Sequence, residues 1–375
     1  MSAVVEDLVG APPVFTPSAL RGSDLDVLTV GSGRVVDRLA ARIGSAARDG
    51  SRPHTLLVAP SGAGKTHTLQ VALHRALEDP ATGRAVLPVV LPESSLGIGR
   101  YADLLVEAAR VIGPGVFREA QMLRPLSDVV GIEEAIAGAA AGRLVLLVVE
   151  NLNRVFAALG AAGQGSFRAW VETSAAVMVV GSAPALFEGV SSRLRPWYGS
   201  FMVERLEPLT VEGVGMLLQR AARRRWGPGS DLELLLDSDS GRRAVEAVYR
   251  RVGGWPRVWQ LLAGVVDAER LLEVDPVVDL LLDRLVDYYR SRLWNLPAGE
   301  QRLVVELARG SGARTVADLA AAVGISSQSA SAALGRLAAR GWVVSSRSGE
   351  DRRTSRYELT DPLVRDFVQY RERRA

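Results

Sequence analysis

Short apolar runs alternate with amphipathic segments over the first two hundred residues. The runs lie at residues 54–59, 86–91, 144–149 and 175–181. Between them, apolar positions recur at helical spacing in residues 35–47, 65–77 and 104–112. A continuous apolar run is typical of a strand whose two faces are both covered, so the alternation predicts a parallel sheet with helices on both sides.

From residue 210 the strand pattern stops and helical spacing takes over. The predicted helices are residues 211–225, 241–252, 256–266 and 280–294. The first three indicate a small helical domain, and the fourth indicates a connector. At the other end, residues 1–20 hold three prolines and little periodicity, which predicts an extended arm.

The last eighty residues have the element order of a winged helix. Three helices are predicted at residues 297–308, 316–323 and 326–340, followed by strands at 342–346 and 356–360. Thr315 is placed to cap the second helix and Gly341 to end the third.

Composition excludes several classes of protein. A chain of 375 residues with 48% apolar and 23% charged residues predicts two or three globular domains. No apolar run approaches the roughly 18–20 residues of a membrane span, and the N-terminus lacks a signal pattern, so we expect a cytoplasmic protein without a membrane partner. The absence of cysteine excludes disulfides and thiolate chemistry, and three histidines leave little room for a histidine metal site.

Basic residues are distributed unevenly by type and by position. Lys65 is the only lysine among 45 basic residues. A coding bias towards arginine explains the loss of lysine elsewhere, whereas a survivor indicates a site that needs a compact ammonium group. The net charge is +3, and residues 295–375 contain 13 arginines against 9 acidic residues, a weak indication of nucleic-acid binding in that module.

The strongest motif surrounds that lysine. Residues 59–66 read APSGAGKT, which matches the phosphate-loop pattern GxxxxGK[ST] except that Ala59 replaces the first glycine. A buried strand precedes the loop and a helix follows it, so backbone N–H groups and the helix N-terminus would face phosphate. Lys65 would bind the β- and γ-phosphates of ATP, and Thr66 would bind Mg²⁺. The predicted nucleotide-binding residues are Pro60, Ser61, Gly62, Ala63, Gly64, Lys65, Thr66 and His67.

A phosphate-loop ATPase also needs an acidic residue at the end of a second buried strand. Glu150 follows the run at 144–149 and is predicted to share the Mg²⁺ site with Thr66. Asn151 occupies the position where a water-activating carboxylate is usual, and an amide orients water but accepts no proton. Either Glu150 has both roles, or hydrolysis is slow and the nucleotide acts as a switch, so ATPase activity is left open.

These segments resemble the AAA+/STAND type of P-loop ATPase, in particular its archaeal-type and origin-initiator-like branch. The likeness covers residues 25–270 and is carried by VGSGRVVDRL (30–39), LLVAPSGAGKTHTL (56–69), LVLLVVENLNRVF (144–156), VMVVGSAPALF (177–187), RPWYGSFMVERLEPLT (195–210) and GGWPRVWQLL (253–262). The first segment resembles a box near adenine, and residues 195–210 resemble the linker into a helical lid.

The resemblance implies roles for four further residues. Ser182 would lie near the γ-phosphate, and Arg257 would be the sensor arginine of the lid. Arg193 or Arg195 would complete the site of a neighbouring subunit, which implies a homo-oligomer. The implied fold is an α/β P-loop core of AAA+ type, an all-α lid and a winged helix-turn-helix domain. The expected boundaries are 1–24 for the arm, 25–208 for the core, 209–294 for lid and connector, and 295–375 for the winged helix.

The C-terminal module resembles the winged helix of MarR-type regulators and that of initiator ATPases. Short polar side chains at the start of its third helix can approach base edges, and Gln328 could read adenine. Arginines in the wing suit phosphates or the minor groove. The predicted DNA-binding residues are Ser326, Ser327, Gln328, Ser329, Arg336, Arg347, Arg352, Arg353 and Arg356.

Three functional hypotheses follow from the sequence. The first is an ATP-dependent protein that assembles on double-stranded DNA. The second is a STAND-like signalling or phage-defence switch whose winged helix recruits a protein partner, for which a protein encoded nearby is a candidate. The third is a transcription regulator that senses ATP.

Overall fold

A computed structural model describes residues 22–91, 97–173, 176–347 and 355–374. The predicted arm at residues 1–20 lies outside these ranges, as do Arg352 and Arg353 in the wing. The described residues form an α/β layer, a helical layer and a small winged domain, in chain order.

A five-stranded parallel sheet forms the centre of the α/β layer. Its strands are β1 (Thr55–Val58), β2 (Val86–Leu91), β3 (Leu144–Val149), β4 (Val177–Ala183) and β5 (Met202–Arg205). Their spatial order is β2-β3-β4-β1-β5. β4 pairs with β1 on one side and with β3 on the other, so the carboxyl ends of these three strands lie side by side.

Helices cover both faces of this sheet, as the alternating pattern predicts. They are α1 (Gly22–Val27), α2 (Gly33–Asp49), α3 (Lys65–Glu78), α4 (Pro80–Ala85), α5 (Tyr101–Ile112), α6 (Pro114–Leu123), α7 (Val129–Ala140), α8 (Leu152–Thr173) and α9 (Glu188–Ser191). Successive residues of β3 point into different cores: Leu146 packs with α2 and α3, whereas Leu147 packs with α5 and α8. This alternation explains why the strand is apolar throughout.

The strand β5 was not predicted, because residues 195–210 were interpreted as a linker. β5 is an edge strand that pairs with β1. Met202 and Val203 are exposed, and the buried residue is Glu204, which binds Arg38 and Arg42 of α2 through its carboxylate. A short edge strand with a buried charge carries no apolar run, so periodicity could not reveal it.

The helical layer follows β5 and confirms the predicted change of pattern. Its elements are α10 (Val211–Trp226), α11 (Asp231–Asp237), α12 (Asp239–Val252), α13 (Pro256–Ala263), α14 (Ala268–Leu271) and α15 (Val274–Trp294). The hydroxyl of Thr210 caps α10 by accepting from the N–H of Gly213 at 3.1 Å. α15 is the predicted connector, and it begins earlier than the sequence indicated.

The C-terminal module is a winged helix. It comprises α16 (Ala298–Arg309), β6 (Arg314–Thr315), α17 (Val316–Val323), α18 (Ser327–Ala339), β7 (Val343–Arg347), β8 (Ser355–Leu359) and α19 (Leu363–Arg374). The three strands are antiparallel in the order β6-β8-β7. Thr315 and Asp318 form a reciprocal capping box at α17, and Gly324 ends that helix in the left-handed region.

The helices α10–α14, which correspond to the expected lid, and the connector α15 share one hydrophobic core with the winged helix. Buried side chains from Leu209 to Tyr370 form a single cluster across α10, α12, α13, α15, α16, α18 and α19. On its surface, Arg251 of α12 binds Asp275 of α15 at 3.0 Å and Asp366 of α19 at 2.9 Å. The winged helix is therefore packed against the lid and connector, so a displacement of the lid would carry the winged helix with it.

Candidate functional site

The predicted phosphate loop joins β1 to α3. Gly62 and Gly64 have φ values of +87° and +86°, which glycine adopts at little cost. Ala59, at the position of the missing glycine, is buried and lies outside the positive-φ residues, so alanine causes no strain there. The loop thus turns tightly and leads directly into the N-terminus of α3, whose first backbone N–H groups have no partner within the helix.

Lys65 folds over the loop. Its ammonium Nζ donates to the carbonyl oxygens of Ala59 at 2.8 Å and Pro60 at 2.9 Å. Both partners are neutral carbonyl groups, so an anion bound to the loop would contact the Lys65 ammonium group without breaking an ion pair with them. The chain's one lysine therefore lies where phosphate chemistry requires it.

The side chains of Thr66 and Glu150 are in contact at the carboxyl end of the sheet. The Thr66 hydroxyl donates to a carboxylate oxygen of Glu150, although 84 residues separate them. A hydroxyl and a carboxylate are oxygen ligands of the kind that Mg²⁺ prefers. The structure thus brings together the two residues that were predicted to share a metal ion.

Ser182 lies between these two strand ends. In the sheet register Val58 pairs with Ala183, and Val149 pairs with Gly181, which places Ser182 beside Glu150. The buried Ser182 hydroxyl accepts from the backbone N–H of Asn151 at 3.3 Å. Asn151 has a φ of +52°, a conformation that asparagine tolerates better than most residues. The chain turns sharply there before α8.

His67 is buried and lines a cavity beside the phosphate loop. Its Nε2 lies 2.9 Å from the hydroxyl of Thr29. Burial lowers the pKa of His67 from 6.5 to about 4, and the nearby carboxylate of Asp26 opposes this shift only weakly. The imidazole is therefore neutral at pH 7 and contributes no positive charge to the loop.

A cavity of about 280 Å³ opens beside the loop. It lies between residues 28–38, the loop and the lid, where the resemblance placed an adenine-binding box. The ion pair of Arg38 with Glu204 at 2.6 Å fixes one wall. Arg205 and Gln260 also line the cavity but were not predicted, because nothing in their local sequence marks them.

Arg257 of the lid packs directly on the phosphate loop. Its backbone N–H donates to the carbonyl oxygen of Gly62 at 3.1 Å. Pro256 precedes it at the first turn of α13 and fixes the helix start, as predicted. The guanidinium group lies over the ring of Tyr288, with Cζ 4.8 Å from the ring centroid. The predicted sensor arginine is thus at the loop, with an aromatic partner on the connector.

Arg193 and Arg195 lie on a surface segment after α9. Arg195 binds Glu188 at 2.8 Å, and Arg193 donates to the hydroxyl of Tyr198 at 3.5 Å. Leu194 between them is 93% exposed.

The predicted DNA-binding surface is exposed at the start of α18. Ser326 caps the helix by accepting from the N–H of Ser329 at 3.2 Å, and Ser327 and Gln328 are exposed beside it. Further along, the exposed positions of α18 are Ser331, Ala332, Gly335, Arg336 and Ala339, and all of them except Arg336 are small. A helix with such a face can approach a groove closely.

Arg336 has a structural partner that the sequence did not reveal. Its Nε donates to the buried carboxylate of Glu300 at 2.7 Å, and Arg340 binds the same carboxylate at 3.0 Å. The two arginines therefore tie α18 to α16. Arg356 is exposed on β8 and donates weakly to the carbonyl oxygen of Ala313. Arg347 ends β7, but its side chain is outside the described atoms, as are the predicted wing residues Arg352 and Arg353.

Comparison with known proteins gives a match for the C-terminal module and matches for the fold of most of the chain. Residues 294–354 match the MarR family. A Walker-type ATPase of Pyrococcus abyssi superposes with a TM-score of 0.60 at 15% identity, covering 88% of this chain and 95% of that one. The ORC2 protein of Aeropyrum pernix, in ADPNP and ADP complexes, superposes with a TM-score of 0.59 at 12% identity, covering 91% and 95%. No curated protein matches the sequence.

The fold is therefore that of an AAA+-type P-loop ATPase with a C-terminal MarR-like winged helix. The predicted resemblance to the archaeal, origin-initiator-like branch is confirmed at the level of fold. Among the described residues, every helix is too short or too polar to cross a bilayer, and His, Cys, Asp and Glu side chains form no group of three that could bind a metal.

Proposed function

We propose that this protein binds ATP and uses the bound nucleotide to control engagement of duplex DNA by its winged helix. The observation that carries the proposal is the junction at Arg257. This lid residue touches the phosphate loop through Gly62, and its lid shares one hydrophobic core with the winged helix. Nucleotide and DNA would thus act on two ends of one packed unit.

At the nucleotide end, Lys65 and the N–H groups of α3 would bind the β- and γ-phosphates. Thr66 and Glu150 would hold Mg²⁺, which would neutralise charge on those phosphates. The cavity beside residues 28–38 has the position and size for the base. The ADPNP and ADP complexes of the similar A. pernix protein support nucleotide binding by this fold.

Turnover of ATP is proposed to be slow. Glu150 is engaged by Thr66, and the neighbouring Asn151 can orient a water but cannot take its proton. Glu150 would then be both metal ligand and base. If so, Glu150→Gln should lower phosphate release well below that of the wild type, whereas equal release from both proteins would show that the chain is a nucleotide switch without ATPase activity.

At the DNA end, α18 would enter the major groove. Its exposed N-terminal turn presents Gln328 and the serine hydroxyls, while the helix N-terminus favours phosphate. The match of residues 294–354 to the MarR family supports this assignment. The wing arginines at positions 347, 352, 353 and 356 would bind the backbone.

We also propose assembly into a homo-oligomer. The surface formed by Arg193, Leu194 and Arg195 would face the nucleotide of a neighbouring subunit, where a guanidinium group would stabilise charge on the γ-phosphate. Arg195 would leave Glu188 to do so, and Arg193 would leave a long hydrogen bond to the Tyr198 hydroxyl and a cation–π contact with the Tyr198 ring.

A salt titration tests the DNA assignment. Anisotropy of a labelled duplex should show a steep loss of affinity with salt, and Ala at Arg352 and Arg353 together should reduce the log–log slope by about 2. Gln328→Ala is the matched variant: it should weaken binding while leaving the slope unchanged, because it removes no phosphate contact. If the wild-type slope is shallow and the variant with Ala at Arg352 and Arg353 has the same slope, the DNA assignment is overturned.

One observation favours the second candidate, a switch whose winged helix recruits a protein. The exposed side chains of α18 are mostly small and uncharged, and Arg336, its exposed charged residue, is paired with Glu300, as is Arg340. The same titration separates the candidates, since protein recruitment predicts no steep salt dependence towards duplex DNA.

A further inference from the structure

Two arginines and two aromatic rings alternate between the phosphate loop and the winged helix. The Cζ of Arg257 lies 4.8 Å from the ring centroid of Tyr288, and the Cζ of Arg292 lies 5.3 Å from it. Arg292 also lies over Trp342, with Cζ 4.3 Å from that ring. All three distances are within the range of cation–π contacts. These four residues are named here the cation–aromatic stack.

One end of the stack is fixed to the phosphate loop. The backbone of Arg257 is hydrogen-bonded to Gly62, and its side chain covers that glycine closely. A Cβ added to Gly62 would lie 3.1 Å from the Cβ and 3.3 Å from the Cδ of Arg257. A change in the loop on phosphate binding would therefore act on Arg257 directly.

The other end is fixed to the DNA-facing helix. Trp342 is buried and lies three positions after the last residue of α18. Its N–H donates to the carbonyl oxygen of Leu337 at 2.9 Å, and its own carbonyl accepts from the N–H of Thr360 at 3.1 Å. Trp342 is thus held by α18 on one side and by the end of β8 on the other.

The centre of the stack has competing partners for its cations. Asp361 accepts from the Tyr289 hydroxyl at 2.7 Å, and its carboxylate lies in the field of both Arg257 and Arg292. Arg292 also donates to the Tyr288 hydroxyl at 3.1 Å. A phosphate at the loop would offer Arg257 a charge-assisted contact, which is stronger than the contact with a ring.

We infer that Tyr288 is a positioning residue for Arg257 and couples the nucleotide site to α18. Without nucleotide, the ring of Tyr288 holds the guanidinium group. When phosphate binds, Arg257 turns towards it and leaves the ring, and the change passes through Arg292 to Trp342. This inference rests on the proposed function, because it names the device by which nucleotide would reach the winged helix.

Affinity for nucleotide in the absence of DNA tests the first step. Calorimetry with a non-hydrolysable ATP analogue and Mg²⁺ should show about 2–5-fold tighter binding by Tyr288→Leu, because the ring no longer competes for Arg257. Tyr288→Phe keeps the ring face and should match the wild type. The same Leu change in an Arg257→Ala background should have no effect. Equal affinity in wild type and Tyr288→Leu, or an effect that persists without Arg257, would overturn the inference.

Binding to a labelled duplex of mixed sequence tests the second step. The ratio of DNA Kd values with and without the analogue should fall towards 1 in Tyr288→Leu, which loses the ring that contacts both Arg257 and Arg292. An unchanged ratio in the Leu variant would refute transmission through Tyr288. A wild-type ratio of 1 would instead overturn the proposed function and its transmission step, while the calorimetry still decides whether Tyr288 positions Arg257. Thermal unfolding of each variant checks that it is folded.

Discussion

The contact between Gly62 and Arg257 predicts unequal effects of the same substitution at two neighbouring glycines. Gly62 and Gly64 have nearly identical φ values, +87° and +86°, so alanine should be strained to the same extent at both. Their surroundings differ. A Cβ at Gly62 would lie 3.1 Å from the Cβ of Arg257, whereas a Cβ at Gly64 would meet Pro256 at 3.8 Å, an ordinary contact. Gly64→Ala is therefore the matched control for Gly62→Ala.

The expected losses of stability follow from two terms, the backbone strain of alanine in the left-handed region and its overpacking against a neighbour. An L-residue in the left-handed region costs about 1–2 kcal/mol, and this term applies to both variants. Overpacking against a neighbour adds about 1–3 kcal/mol, and this term applies only to Gly62→Ala. We expect a loss of unfolding free energy of about 1–2 kcal/mol for Gly64→Ala and about 2–5 kcal/mol for Gly62→Ala.

Chemical denaturation followed by tryptophan fluorescence measures both losses. Adding Arg257→Ala to Gly62→Ala removes the Cδ and Nε atoms from the clash but keeps the Cβ, so the double variant should recover part of the difference. Equal losses for the two glycine variants would show that Arg257 does not pack on Gly62, and the coupling of lid to loop would lose its structural basis.

Two further predictions concern buried titratable groups. Because the pKa of His67 falls from 6.5 to about 4 on folding, the unfolded chain binds the proton more readily, and stability is lost as pH falls from 6.5 towards 4. Between pH 7 and pH 5 the wild type should lose about 2 kcal/mol more unfolding free energy than His67→Gln. An identical loss in the two proteins would contradict this prediction. Glu300→Gln should cost about 1–2 kcal/mol in denaturation, since it weakens the clamp on two half-exposed arginines, whereas Glu358→Gln on the exposed face of β8 should cost under about 0.5 kcal/mol. Equal costs would mean that the Glu300 clamp is not stabilising.

Much of the geometry of the candidate nucleotide site could be predicted because its parts are local in sequence. The loop, its lysine and the following helix occupy consecutive residues, and Glu150 follows an apolar run that marks a strand. Once the sheet is parallel, the carboxyl ends of its strands lie on the same side of the sheet. Pattern and motif therefore sufficed to bring Glu150 to the phosphate loop, whereas the position of Ser182 within β4 was expected from the family resemblance alone.

The parts that the sequence did not reveal depend on contacts between distant elements. Tyr288 and Arg292 read as ordinary positions of a connector helix until the fold places Arg257 and Trp342 beside them. Arg336 is predicted to bind DNA, and the structure adds an ion pair with Glu300, which lies 36 residues away and has no local signature. In a chain where 44 of 45 basic residues are arginine, the residue type alone cannot separate a ligand from a structural ion pair.

Control of DNA binding by nucleotide is the central claim, and one measurement addresses it directly. Anisotropy of a labelled duplex should be recorded with and without a non-hydrolysable ATP analogue and Mg²⁺, for the wild type and for Lys65→Ala. We expect the analogue to change the wild-type Kd for DNA by about 5-fold or more and to leave that of Lys65→Ala unchanged, because the lysine is needed to hold the phosphates. A wild-type Kd that does not respond to the analogue, or an equal response in Lys65→Ala, would contradict the account.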